Sequence, residues 1–206
     1  VRDINGEKKT NQFDADKRTQ MRLLIMGPQG VGKGTQAALL SKHYGIPAIS
    51  TGDIFRYNIK NHTELGKEAQ SYTDKGELVP DEVTSRIVKD RLAHNDTKNG
   101  WILDGYPRNA AQVQALDQML EELGTPLDHA VALEADHDVL MDRMRKRAEQ
   151  EGRADDTPEA IAKRLKIYEE QTAPLLETYK GRGELVAVNG VGDIDEISAK
   201  IIAQLG

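Results

Sequence analysis

Short apolar runs alternate with stretches of helical periodicity along most of this chain. Leu23-Leu24-Ile25-Met26, Ile46-Pro-Ala-Ile49, Trp101-Ile-Leu103, Ala130 to Leu133 and Leu185-Val-Ala-Val188 are apolar throughout. That pattern suits strands buried on both faces, not strands with one face in water. Between them the spacing predicts helices from Gln36 to Tyr44, over roughly 52–61, 64–75 and 81–93, over 110–123, and from Val139 to about Ala148. Gly76 and Leu78-Val79-Pro80 break the middle group, and Gly124 with Pro126 stops the helix over 110–123. Thr157 caps a further long helix with Pro158 at its first position, where a missing N–H costs nothing. Asp193 with Glu196 three residues on has the spacing of a capping box for a closing helix to Leu205. Strands separated by helices predict a parallel sheet with helices on both faces, an α/β architecture. No internal repeat or low-complexity tract interrupts it.

The first strand runs straight into Gly27-Pro-Gln-Gly-Val-Gly-Lys-Gly-Thr35, and a helical stretch follows. Glycines permit backbone angles and a close approach that a Cβ would block, so successive N–H groups can point at phosphate oxygens. The helix N-terminus adds a partial positive charge and Lys33 a full one. The spacing is that of a P-loop, with one departure. The position after the lysine, normally Ser or Thr for magnesium, is Gly34, and Thr35 comes one later.

The chain has 206 residues, enough for one well-buried domain with small inserts, and a formal charge of −6 from 28 basic and 34 acidic residues. An acidic protein is poorly suited to neutralising a nucleic-acid backbone, whereas a small anionic nucleotide needs only local positive charge. There is no cysteine, which excludes disulfides and cysteine-bound zinc. No apolar run has the length of a membrane span or a signal-peptide core, so the expected location is the cytoplasm. Residues 1–20 are polar and charged, and Met21 directly precedes the first strand. Two readings stand for that stretch: a dispensable or tag-derived extension, or an arm with a role of its own.

Two further features bear chemistry. Trp101-Ile-Leu-Asp104 is an apolar strand ending in a carboxylate, and Gly105-Tyr-Pro-Arg108 then delivers an arginine to the C-terminal edge of the sheet. Ligands bind at that edge in open α/β sheets. Arg143 and Arg147 lie four apart on one helix face, Arg153 precedes Ala154-Asp155-Asp156, and Arg164 lies within the next helix. These arginines either converge on phosphate, where a planar fork outperforms lysine, or are solvated surface residues, as Arg145, Lys146 and Lys163 are expected to be. Spacing alone does not choose between the two.

From Met21 to Gly206 the chain resembles the adenylate kinases. The resemblance rests on Gly27 to Gln36 (GxxGxGKGTQ), Ser50-Thr51-Gly52-Asp53, Arg56, Leu78-Val79-Pro80, Asp104-Gly-Tyr-Pro-Arg108 with Gln112, and Gly152-Arg153-Ala154-Asp155-Asp156 with Arg164. The order Lys33-Gly34-Thr35 is the normal form of that family. The resemblance implies a P-loop NTPase fold: a three-layer α/β/α core (21–50, 81–146 and 157–206) with a five-stranded parallel sheet. A helical insert at 51–80 would bind the nucleoside monophosphate, and a short lid would span 147–156.

It also implies an activity, the reversible transfer of the terminal phosphoryl group of MgATP to AMP, giving two ADP in the service of adenine nucleotide balance. Gly30, Val31, Gly32, Lys33, Gly34 and Thr35 would hold the ATP phosphates, Arg143 and Arg147 would flank ATP, and Gly192 would meet its adenine through backbone. On the AMP side would stand Thr51, Arg56, Glu77, Leu78 and Val79. The turn Gly105-Tyr106-Pro107-Arg108 would bring Arg108 to the AMP phosphate, and Gln112 would read the adenine. Arg153 and Arg164 would reach the monophosphate and the transferred group. Lys33, Arg108, Arg143, Arg153 and Arg164 form the expected catalytic set. Mg²⁺ would be held by the nucleotide and by waters ordered by Asp53 and Asp104, with no direct protein ligand.

Thr51 and Gln112 favour AMP over the acceptors of UMP/CMP-type kinases. The segment between Arg147 and Arg153 is too short for the zinc-binding insertion of long-lid members, so no zinc is expected. ATP, AMP and ADP would be the only partners of a monomer, with neither nucleic acid nor membrane involved. Two rival readings are another nucleoside monophosphate kinase of the UMP/CMP type, and a non-catalytic P-loop module that senses ATP and AMP.

Overall fold

The apolar runs form a parallel sheet because each is covered on both sides. In the computed structural model, which describes residues 20–152 and 157–206, these strands are β1 (Met21–Met26), β2 (Ala48–Ser50), β3 (Gly100–Asp104), β4 (His129–Glu134) and β5 (Leu185–Asn189). They pair in the order β2-β3-β1-β4-β5, all parallel. The expected extension at 1–20 falls, but for Gln20, outside the described residues, as does Arg153.

The helices are α1 (Lys33–Tyr44), α2 (Thr51–Lys60), α3 (Glu64–Thr73), α4 (Asp81–Leu92), α5 (Ala110–Leu123), α6 (His137–Glu151), α7 (Pro158–Ile167), α8 (Pro174–Gly181) and α9 (Ile194–Leu205). Alternation along β1 divides the core in two, because successive side chains point to opposite faces. Leu24 and Met26 pack with Ile54, Ile87, Leu116 and Tyr179 from α2, α4, α5 and α8. Leu23 and Ile25 pack with Leu40, Leu140, Ile161 and Ile201 from α1, α6, α7 and α9. Each such fully buried aliphatic side chain contributes roughly 1.5–3 kcal/mol. No helix among the described residues is long and apolar enough to cross a membrane.

Local signals act where the sequence places them. Thr157 accepts from Ala160 N with Pro158 at N1, Asp193 accepts from Glu196 N, and Gly124 ends α5 in a left-handed conformation. The expected long helix from Thr157 needs correction. It ends at Ile167, passes through a π turn at Tyr168–Thr172, and restarts as α8 at Pro174. Proline removes an N–H and crowds the preceding turn, so the wider turn absorbs the break.

Register sets the functional edge. Ile25 lies opposite both Asp104 and Val131, Ser50 opposite Asp104, and Glu134 opposite Asn189. The C-terminal ends of all five strands therefore open on the same side, and every candidate loop leaves from there.

Candidate active site

Between β1 and α1 the glycine-rich loop turns through left-handed angles at Gly30 (φ 88) and Gly32 (φ 92). At Gly30 a Cβ would also lie 2.9 Å from Met144 Cγ, so only glycine lets the loop sit this close to α6. Gly32 is the N-cap of α1, no side chain caps that helix, and its first turn carries no acidic residue. The leading N–H groups at Lys33, Gly34 and Thr35 are thus left for an external anion. Val31 is buried at 2% exposure, so it offers the loop backbone rather than side chain.

Three cations from three helices meet this loop. The Lys33 ammonium donates to Asp104 Oδ1 at the end of β3. Arg143 on α6 donates from Nη1 to Gly30 O at 3.3 Å and to Gly190 O at 3.4 Å. Arg164 on α7 donates to Gln29 Oε1 at 3.5 Å. The two Arg143 contacts are long, hence weak. Arg147 stands apart: it is exposed and paired with Glu151 at 3.2 Å along its own helix. Arg145 and Lys146 are exposed and share Asp142, as surface residues do.

The second half of the site lies at the neighbouring strand ends. Gly105 turns the chain at φ 85, and a Cβ there would lie 3.0 Å from Thr51 Oγ1. Arg108 Nε donates to Gly105 O at 2.8 Å, which folds the exposed guanidinium back toward the strand end. Tyr106 and Pro107 are buried and joined by a cis peptide. The Tyr106 side chain belongs to the core, where its hydroxyl shares a 2.7 Å hydrogen bond with Ser85 and burial pushes its pKa up to about 12. Gln112 is 6% exposed; Arg108 N donates to its Oε1 at 2.8 Å, and its Nε2 donates to Asp81 Oδ1 at 2.9 Å.

Thr51, buried, opens α2, and Ser50 caps that helix by accepting from Asp53 N at 3.1 Å. Arg56 Nη2 donates to Asp53 Oδ1 at 2.5 Å. That bond, and next the Ser50 hydroxyl beside the carboxyl, holds Asp53 below the usual range. Glu77 and Leu78 are exposed and Val79 half-buried on the segment between α3 and α4; Leu78 reaches 93% exposure. Gly192 lies in the turn after β5, near Ile194, whose carbonyl accepts from Gln36 Nε2 at 3.0 Å.

The described residues hold no cluster of three or more His, Cys, Asp or Glu able to bind a metal. Asp53 and Asp104, three residues and none beyond the paired positions Ser50 and Asp104, are hard oxygen donors at one sheet edge. Such a pair fits Mg²⁺ held mainly by phosphate and water, and does not fit zinc.

The structure adds four participants that the motifs did not single out: Gln29, Asp81, Asn109 and Gly190. Asp81 directly after Pro80 reads as an ordinary helix-opening acid, and only the tertiary fold brings it to Gln112. Gln29 had a signal, since it lies inside the P-loop itself.

A profile of the adenylate kinase family matches residues 25–184 of the chain. The chain is 77% identical over 185 residues to the adenylate kinase of Bifidobacterium longum (strain NCC 2705), covering 90% of this chain and 100% of that protein. It is 55% identical over 184 residues to the adenylate kinase of Kocuria rhizophila, covering 89% of this chain and 98% of the other. The adenylate kinase of Nocardioides sp. (strain ATCC BAA-499 / JS614) is 52% identical over 185 residues, covering 90% and 97%.

Proposed function

The chain belongs to the adenylate kinase family, and from that premise we propose that it transfers the terminal phosphoryl group of ATP to AMP, reversibly, giving two ADP. The observation that carries the reading is the meeting of Lys33, Arg143 and Arg164 around Gln29–Lys33, beside the strand end that presents Arg108. ATP lies along the glycine-rich loop, its phosphates on the N–H groups of Gly30 to Thr35, with Arg143 and Arg147 on its flank and its adenine near Gly192. AMP lies against Thr51, Arg56 and the 77–79 segment, its phosphate on Arg108 and its base toward Gln112.

The chemistry needs no protein base. A phosphate monoester with a second pKa near ~6 is already largely dianionic at neutral pH and is the nucleophile as it stands. The obstacle is repulsion between two polyanions, together with charge spreading over the group in flight. Lys33, Arg108, Arg143, Arg153 and Arg164 would oppose both with positive charge. Asp53 and Asp104 would order the waters of the Mg²⁺ that accompanies ATP, which would further neutralise phosphate oxygens. Closure of 51–80 over AMP and of 147–156 over ATP keeps water from taking the phosphoryl group, as is known for the lids of adenylate kinases. Following the family resemblance, we take the acting form to be a cytoplasmic monomer.

Measuring ADP formation from MgATP with AMP, GMP, CMP and UMP as acceptors tests this. The expected result is turnover with AMP alone. Equal turnover with CMP or UMP, or none with any acceptor, overturns it.

A further inference from the structure

The side-chain amide of Gln112 is clamped from two sides. The backbone N–H of Arg108, which can only donate, reaches its Oε1 at 2.8 Å. Its Nε2 donates to Asp81 Oδ1 at 2.9 Å, and an ionised carboxylate can only accept. Asn109 steadies the carboxylate, donating from Nδ2 to both oxygens at 3.2 and 3.3 Å, while its own Oδ1 accepts from Gln112 N at 2.9 Å. Rotating the amide by half a turn would set its oxygen against the carboxylate and its NH₂ against the Arg108 N–H. Both bonds would be lost around a side chain only 6% exposed.

An amide offers two acceptor sites on oxygen and two donors on nitrogen. The clamp uses one of each, so one acceptor and one donor remain, in a fixed order. The base edges of adenine and guanine differ in that order. Adenine presents a donor at N6 and an acceptor at N1, whereas guanine presents an acceptor at O6 and a donor at N1. An amide free to flip could meet either purine; a clamped one suits a single purine. We propose that Asp81 is a specificity-determining positioning residue, whose carboxylate, opposed by the Arg108 N–H, locks the Gln112 amide in the orientation that accepts adenine and refuses guanine. The proposal rests on the reading above that Gln112 faces the acceptor base.

The test compares kcat and KM for AMP and for GMP, and KM for ATP, in the unaltered protein and in Asp81→Asn, Asp81→Ser and Gln112→Ala. Asn and Ser can donate as well as accept, so each releases one side of the clamp. Either should raise the GMP-to-AMP ratio of kcat/KM by about tenfold or more, chiefly through KM, with the KM for ATP unmoved. A carboxylate serving only the N-terminus of α4 would lower Tm and leave that ratio unchanged, which overturns the proposal. Two variants keep the measurement available if one fails to fold. If Gln112→Ala shifts the ratio while neither Asp81 variant does, the role of Asp81 fails and the placement of Gln112 stands. If none of the three shifts it, the placement of Gln112 fails as well.

Discussion

Lys33 and Asp104 are ion-paired across the ends of two neighbouring parallel strands, one at the start of α1 and the other at the last residue of β3. Both side chains are largely buried, at 24% and 18% exposure, so the pair holds the ammonium beside the loop that would receive phosphate. On the proposed reading, an arriving polyphosphate would compete with the carboxylate for the same cation. Asp104 would then be free to order waters around Mg²⁺ brought by ATP.

Lys33→Met removes the full charge of the loop while the glycine geometry stays. Turnover should fall by about 10²–10³-fold, the loss expected for one preorganised donor to developing charge. Steady-state kinetics at saturating AMP reads this. Asp104→Asn should instead raise the Mg²⁺ concentration needed for half-maximal rate, measured by magnesium titration at fixed ATP.

Arg108→Ala should lower AMP phosphorylation by about 10³–10⁵-fold, by analogy with arginines that stabilise phosphoryl transfer elsewhere. Arg108→Lys should recover little of that loss. The Nε–Gly105 O bond at 2.8 Å orients a planar fork, and an ammonium has neither the fork nor the Nε. Near-normal rates for Arg108→Ala would remove Arg108 from the mechanism, and near-normal rates for Arg108→Lys would show that charge without the fork suffices.

Gly105→Ala combines a left-handed backbone angle, φ 85, with a Cβ placed 3.0 Å from Thr51 Oγ1. The backbone strain alone costs roughly 1–2 kcal/mol. In a domain of this size that lowers Tm by about 2–8 °C, which a calorimetric melt would register. Because Thr51 is pushed as well, KM for AMP should rise in the same variant.

At the other end of the sheet, burial raises the Glu184 carboxyl above its ordinary value, and its Oε2 has no hydrogen-bond partner among the described residues. Between the ordinary value and the raised one, the folded protein keeps a proton that the unfolded chain has released. The stability that protonation supplies is full below the unfolded value and is lost as pH rises through the raised one. Glu184→Gln should raise Tm at neutral pH and flatten the pH dependence in that window. Melts from acid to neutral pH check the sign; a variant that melts earlier at neutral pH contradicts it.

How much of this was legible before folding follows from the range of each interaction. The P-loop, the strand ending in Asp104 and the caps at Thr157, Asp193 and Gly124 are written in neighbouring residues, and they lie where the pattern predicts them. The break at Tyr168–Thr172 was not legible, because apolar spacing continues across it and Pro174 can equally open a helix. Nor could spacing separate Arg143 from Arg147. They share a helix face, yet one meets Gly30 across 113 residues of chain and the other pairs with Glu151 four residues away. Tyr106 lies inside a motif but has its side chain in the core, a distinction that depends on where Ser85 comes to rest. The Asp81–Gln112 contact joins positions 31 residues apart that neither periodicity nor composition connects.

If AMP docks against the 77–79 segment as proposed, Leu78 would mark the thermodynamics of its binding. Its side chain is 93% exposed, so its apolar surface faces water. A base settling over it would remove that surface from water, and the signature would be a negative heat-capacity change on AMP binding, not a favourable enthalpy at any one temperature. The grip on AMP would then have its own temperature curve, separate from that of the charged groups a few residues away.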